Sequence, residues 1–258
     1  MDIAKFAFII LGVTILLVGG QPASAQQVGG TDDKGGIVVL TARYGGEKKP
    51  ERKEINVGAD PFCRQVYQAK NMVGPLNEKW VWGKNNTLAN VFVKVEKGLG
   101  DRQFTPPKKA VRVEQVECVY VPHVVGAMTN QNLSVVNRDQ TLHSLNAAGL
   151  AWIGPGVGQP VAGMEITYPL PKREDVLFLK CDVHAWMNSY VHVVAHPFFA
   201  VTGDDGTCTI KGLPAGEYEL TVWHEFKTFV PDNATIKVTV KEGEAAKATV
   251  TYAPKKAG

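Results

Sequence analysis

Cysteine is scarce in this chain, with four residues among 258, and histidine is nearly as rare, with six. Four cysteines cannot build a disulfide framework that stands in for a hydrophobic core. The fold must therefore come from apolar packing, for which this length allows one or two domains. Charge of one sign is also lacking: 28 basic residues against 25 acidic ones leave +3. The basic residues are scattered, as in "EKKPERKE" and the tail "APKKAG". Without a basic stripe or interleaved aromatics, no nucleic-acid surface is expected. Long apolar runs are absent after about Gly20. The one run, from Phe6 to about Gly20, follows Lys5 and precedes "PASA", the layout of a secretory signal peptide cleaved after Ala25. It is shorter than the roughly 20 residues of a spanning helix. Residues 1–25 are expected to be that signal, with no stable membrane span after cleavage and a periplasmic or secreted product.

A helical period is almost missing too. What the chain has instead is alternation or short apolar blocks: "GIVVLTA", "ANVFVKVE", "AVRVEQVECVYV", "LSVVN", "DVLFLKC", "YVHVVA", "TCTI", "YELTVW", "TIKVTV" and "KATVTY". Rich in Val, Thr, Ile and aromatics and separated by Gly, Pro, Asn and Asp, they predict an all-β protein. A short helical turn fits Asp60 to Gln68. "GPGVGQP" at 154–160 reads as a loop, and no helix pattern follows it that would make a phosphate cradle.

The scarce residues gather in "CDVHAWM", where Cys181, His184 and Met187 stand three apart at the end of a strand pattern. A thiolate, an imidazole and a thioether on one tight loop leave a metal wanting one more good ligand. Copper electron transfer uses such a set: trigonal Cys and two His with a long axial Met, a geometry acceptable to both Cu(I) and Cu(II). Zinc fits less well, because methionine is not among its usual ligands. The second histidine has to come from another strand. His143, in "VVNRDQTLHSLNA", sits where a strand pattern reaches a polar turn and the next begins.

Here the chain resembles the cupredoxins, the small blue copper proteins. "YVPHVVGAMTNQNLSVVNRDQTLHSL" is similar to their run of aromatic, proline, apolar alternation, strand, Asn-x-Asp and first histidine ligand. "CDVHAWM" is similar to the Cys-x2-His-x2-Met loop of amicyanin. The resemblance implies a Greek-key β-sandwich over about 105–193 holding one type 1 copper through His143, Cys181, His184 and Met187. It also implies that the His184 ring edge lies near the surface, with Ala185 and Trp186 beside it in an apolar patch for a redox partner protein such as a c-type cytochrome. One position departs from the family: Ser144 stands where Asn commonly helps hold the thiolate.

The flanks carry a second resemblance. "DGTCTIKGLPAGEYELTV" is similar to the carboxypeptidase regulatory-like modules, which are transthyretin-like β-sandwiches. Their opening strands match "GIVVLTA" and "LANVFVKVEKG", which lie before the cupredoxin-like stretch. A discontinuous sandwich over 34–104 plus 194–254, with the copper domain inserted, is therefore expected; two consecutive domains after an irregular extension is the other arrangement. Cys63 and Cys118 fit either a disulfide tying the N-terminal segment to the inserted domain or two buried thiols. Cys208 is expected to be a buried free thiol. His196 and His224, with Glu225, fit either structural histidines or a second metal site, and His123 is expected to be structural. A saturated four-donor site has no place for a substrate, so the expected function is electron carriage and not enzymatic. Copper storage or delivery, or a structural sandwich with incidental metal, are the competing functions.

Overall fold

The computed structural model describes residues 27–28, 35–148, 156–172 and 174–255. The expected signal peptide, residues 1–25, lies outside them. The expectation of an all-β sandwich protein holds. Eighteen strands run β1 (Gln27–Val28), β2 (Gly36–Tyr44), β3 (Phe92–Lys97), β4 (Val111–Val116), β5 (Val119–Val121), β6 (Val124–Met128), β7 (Asn132–Asn137), β8 (His143–Ala148) and β9 (Val157–Gln159). They continue with β10 (Glu165–Pro169), β11 (Asp175–Cys181), β12 (Asn188–Val194), β13 (Phe199–Val201), β14 (Thr207–Leu213), β15 (Gly216–Trp223), β16 (Phe229–Pro231), β17 (Thr235–Val240) and β18 (Ala245–Pro254). One α-helix, α1 (Pro61–Gln68), lies between β2 and β3.

The strands form four sheets. Two use only strands from the two ends of the described chain, in the orders β1-β13-β3-β15-β17 and β14-β2-β18-β16; two use only strands from its middle, β10-β7-β4-β5 and β6-β12-β11-β8-β9. The outer pair encloses one core, with Val38 and Leu40 of β2 packing with Val93, Ile210, Leu220 and Val250. Strand β2 is legible because its burial alternates, the even positions from Val38 to Tyr44 facing in. The middle pair encloses a second core, in which Val113 and Val135 pack with Leu145, Leu177, Leu179 and Val191.

The residues before β3 cross between the two. Val57, Cys63 and Tyr67 belong to the core of the middle sheets, although β2 and β3 on either side pair in the outer ones. A third cluster, Phe92, Val124, Met128, Val194, Phe199 and Val201, joins the two regions. Strand β6 stands at that seam: all five of its residues are buried, Val125 and Ala127 toward one cluster and Val124 and Met128 toward another. Covering each of its larger side chains stabilises by about 1.5–3 kcal/mol. Gly126 in its centre has no room to change, since a Cβ there would meet the Phe199 ring at 2.3 Å.

The block "AVRVEQVECVYV" is two strands, not one. It folds back at Glu117 and Cys118, both with positive φ, 52° and 61°. Two consecutive residues of that sign make the tight turn that suits a two-residue hairpin. The Asp139 carboxylate holds it, accepting the Glu117 and Cys118 N–H groups at 2.6 and 2.8 Å. The "GPGVGQP" loop also contains a strand, β9, paired to β8 with Gln159 opposite His143.

Candidate metal centre

The site forms where two neighbouring strands meet a tight turn. His143 opens β8 and Cys181 closes β11, which pair antiparallel with Cys181 opposite Leu145. The next residues turn back at once: Met187 N–H donates to the His184 carbonyl at 2.9 Å, and Cys181 N–H to the Met187 carbonyl at 3.1 Å. This brings His184 under His143, with the two Nδ1 atoms 3.0 Å apart. The Cys181 Sγ lies 3.9 Å from Nδ1 of His143 and 3.8 Å from Nδ1 of His184. All three side chains are buried, His143 at 0 % exposure and the other two at 2 %.

Each imidazole has its own carboxylate on the far nitrogen. His143 Nε2 is 2.9 Å from Asp139 Oδ2, and His184 Nε2 is 3.2 Å from Asp60 Oδ2. A carboxylate accepts only, so it places the ring proton on Nε2 and leaves Nδ1 with a lone pair. Two such lone pairs then face each other and a thiolate inside a space closed to water. Converging electron pairs need a proton or a cation among them, and a set of one thiolate and two imidazole nitrogens fits a soft metal ion. The sulfur-to-nitrogen separations match the ~3.8 Å spanned in a trigonal plane by bonds of about 2.3 and 2.1 Å. The nitrogen-to-nitrogen separation is shorter than such an ion would set.

Electrostatics prepare the sulfur as a ligand. Burial alone would push the Cys181 thiol up, but its contacts with the His143 and His184 rings and the Ser144 and His184 backbone N–H groups, at 3.4 Å each, lower it to about 5. Burial would likewise lower His143, and the Asp139 and Cys181 contacts outweigh it and raise it. Asp60 is held below the usual carboxylate range: burial opposes, while the Cys63 N–H, His184 and the Thr141 hydroxyl favour its charge.

Among the described residues, donors of the His, Cys, Asp and Glu types converge in two groups, His143–Cys181–His184 and Asp60–Cys63–His184. The second is not a separate site. It shares His184, and the Cys63 sulfur is in a disulfide with Cys118, which settles the open pairing. Met187 is buried with Cys181 in one core and is joined to the donors through the backbone of the loop. Ser144 contributes its backbone N–H to the thiolate.

One expectation is corrected and one open choice is resolved. The His184 ring edge does not reach the surface, because the residues at the start of α1 cover it, Asp60 at 3.2 Å and Cys63 Sγ at 3.9 Å from Nε2. The cupredoxin-like pattern does not extend to residues 60–63, which lie outside it in sequence and could not signal this cover. His196 and His224 do not come together as a metal pair. His196 Nε2 donates to the Val95 carbonyl at 2.8 Å, His224 Nδ1 accepts from Phe226 N–H at 3.3 Å, and Glu225 turns to His123 at 2.5 Å. Among residues that sequence reasoning missed, Asp60 had a signal: an Asp directly before Pro is the start of a helix. Asp139 stood in the quoted Asn-x-Asp without a role.

No protein-family model matches the chain, and no curated protein does. Among solved structures it is similar to a Cu-containing nitrite reductase from Thermus scotoductus SA-01, with 16 % identity over 38 % of this chain and 24 % of that one, at a TM-score of 0.28. It is also similar to a purple cupredoxin from Nitrosopumilus maritimus, with 15 % identity over 33 % and 99 % of the two chains and a TM-score of 0.28. An amicyanin mutant in its reduced state gives 14 % identity over 39 % and 97 %, with a TM-score of 0.29. The chain thus spans about a quarter of the nitrite reductase. These neighbours cover about a third of the present chain.

Proposed function

We propose that the protein is an exported copper protein that carries single electrons through His143, Cys181, His184 and Met187. The observation that supports this best is the set of three buried donor atoms that converge, with a carboxylate facing the outer nitrogen of each imidazole. Copper bound there supplies one-electron chemistry between Cu(I) and Cu(II). Cys181 serves as thiolate, His143 and His184 as the nitrogen donors, and Met187 as the weak fourth donor. The closed loop from Cys181 to Met187 keeps the donors in place in both oxidation states. With four donors committed, the ion would have no open position for a substrate, so the proposed role is carriage and not catalysis.

In this proposal residues 105–193 are the inserted copper domain and residues 34–104 plus 194–254 the transthyretin-like sandwich. Segregation of the strands into end-derived and middle-derived sheets supports it. Export to the periplasm or exterior is supported by the Cys63–Cys118 disulfide, which belongs to an oxidising compartment. The partner is a redox protein such as a c-type cytochrome. Exposed Leu142 and Val183, each next to a ligand in sequence, supply apolar surface for it. The test is a visible and EPR spectrum of the protein with one equivalent of Cu(II), beside Cys181→Ser. An intense thiolate-to-copper band that bleaches on reduction and is lost in the variant is expected. A pale spectrum unchanged by the substitution would sink the proposal and favour copper handling or a structural sandwich.

A further inference from the structure

His184 is held from outside its own loop, by a residue 124 positions earlier. The Asp60 carboxylate is fixed at both oxygens. Its Oδ1 caps α1 by accepting Cys63 N–H at 2.8 Å, and its Oδ2 accepts the Thr141 hydroxyl at 3.0 Å beside the His184 ring at 3.2 Å. The helix itself cannot drift, because Cys63 is bonded to Cys118, and Cys118 N–H is bound by Asp139, the carboxylate that faces His143. Asp60, Cys63, Cys118 and Asp139 thus form one bridge with a histidine partner at each end.

We propose that Asp60 is a positioning residue for His184 and sets the oxidation-state preference of the metal centre. This rests on the electron-carrier proposal. Asp60 keeps the proton on Nε2, aims Nδ1 at Cys181, and strengthens the ring as a donor, as outer carboxylates do for metal-bound histidines. It also places a negative charge behind the ligand in a site with little water. That charge favours the more positive ion, so Asp60 tightens Cu(II) more than Cu(I) and lowers the reduction potential. The disulfide-anchored helix makes this fixed and closes the ring edge to solvent.

The experiment uses the full chain and two substitutions. Asp60→Ser keeps a capping residue for α1 but is too short to reach the ring, whereas Asp60→Asn keeps the cap through its single carbonyl oxygen, removes the charge and turns an NH2 donor to the ring. In the metal-free protein, nitrogen NMR of His184 should show the Nε2–H form in wild type, loss of that preference in Asp60→Ser, and a shift toward the Nδ1–H form in Asp60→Asn. Cu(II) affinity should fall roughly ten- to hundredfold in Asp60→Ser. Each tenfold loss specific to Cu(II) raises the potential by about 59 mV. Asp60→Asn should bring neither the Cu(II) affinity nor the potential closer to wild type than Asp60→Ser does, since it restores neither the acceptor at the ring nor the charge. The proposal is overturned if Asp60→Ser leaves tautomer, affinity and potential at their wild-type values. Should wild type itself lack the thiolate band, the electron-carrier proposal fails, and the tautomer of the metal-free protein still decides whether Asp60 positions His184.

Discussion

Cys181, in the middle sheets, and Cys208, in the outer ones, are equally hidden, each 2 % exposed. Burial pushes the Cys208 thiol up to about 12, with only the Leu40 backbone opposing it. The burial penalty at Cys181 is overcome by two imidazoles and two backbone N–H donors, and that thiol lies at about 5. Equal burial therefore yields an inert apolar side chain in one region and a ready metal ligand in the other; the neighbours decide, not the depth. The contrast extends beyond sulfur. Gln115, Ser134, Asn137, Asp139 and Gln159 are all buried in the middle region. Asn137 donates to the Thr141 and Gln159 carbonyls, and Gln159 donates to those of Val135 and Met164. These bonds stiffen the turn that presents His143. The outer region buries Thr87, Asn90 and Thr202, which tie loops to strands without gathering around a site.

If the middle region is the one built for a fixed site, its covalent tether should matter most. Replacing Cys63 and Cys118 together by Ala opens a loop with a separation of 55 residues, worth about 4 kcal/mol on the chain-entropy account. Urea unfolding should show that loss, and hydrogen exchange should place it in β4 to β12 while β2 and β18 keep their protection. A loss under about 1 kcal/mol would mean that Asp60 and the Tyr67 hydroxyl, which donates to the Glu117 carbonyl at 2.9 Å, hold the segment unaided.

The next largest effect tests the seam between the regions. His123, just before β6, lies between Glu225 of the outer region at 2.5 Å and Glu78 of the crossing segment at 3.5 Å. Burial lowers its pKa, but the two carboxylates and the Asn188 carbonyl raise it above the ordinary 6.5. Its contribution is complete below that unfolded value and is lost as pH rises through the folded one. Burial raises Glu225 and His123 lowers it, with a net position below 4.5. That contribution is complete above 4.5 and is lost as pH falls through the folded value. Burial raises Glu78, whose contribution is complete below 4.5 and is lost as pH rises from there through its folded value. The His123 and Glu225 contributions are both complete between about pH 4.5 and 6.5, and the Glu78 loss tilts the optimum toward the acidic side of that window. Glu225→Gln, which leaves a buried partner uncompensated, should cost about 3 kcal/mol at pH 6 and flatten the profile. An unchanged pH dependence in the variant would remove the clamp from the account.

Much of this architecture could be read from the residues, and the failures have physical causes. Strands such as β2, with one face in and one out, announced themselves by alternation. Strand β6 did not, because both faces are covered at the seam and alternation is lost. Strand β10 was missed for the opposite reason, since none of its residues is buried. The turn at Glu117 and Cys118 was missed because neither residue is the Gly or Asn that such a turn prefers; it is held by Asp139, which is distant in sequence. At the site, the order and spacing of His143, Cys181 and His184 were enough to find them. Their carboxylates were not legible as partners, because an Asp that caps a helix and an Asp that orients a ligand look alike until the chain folds.

The smallest expected effect is the sharpest check on the two cysteines. Cys208 lies in β14, packed among Val38, Leu40 and Ile210 in the outer core. Cys208→Ala deletes one buried heavy atom and should cost about 1 kcal/mol, as comparable one-atom deletions do. Because no charged or ring donor faces this sulfur, copper stoichiometry, the visible band and the reduction potential should stay as in wild type. A changed band in Cys208→Ala would place the second thiol in communication with the metal. The difference between the regions would then lie in access to copper and not in the donors that surround each sulfur.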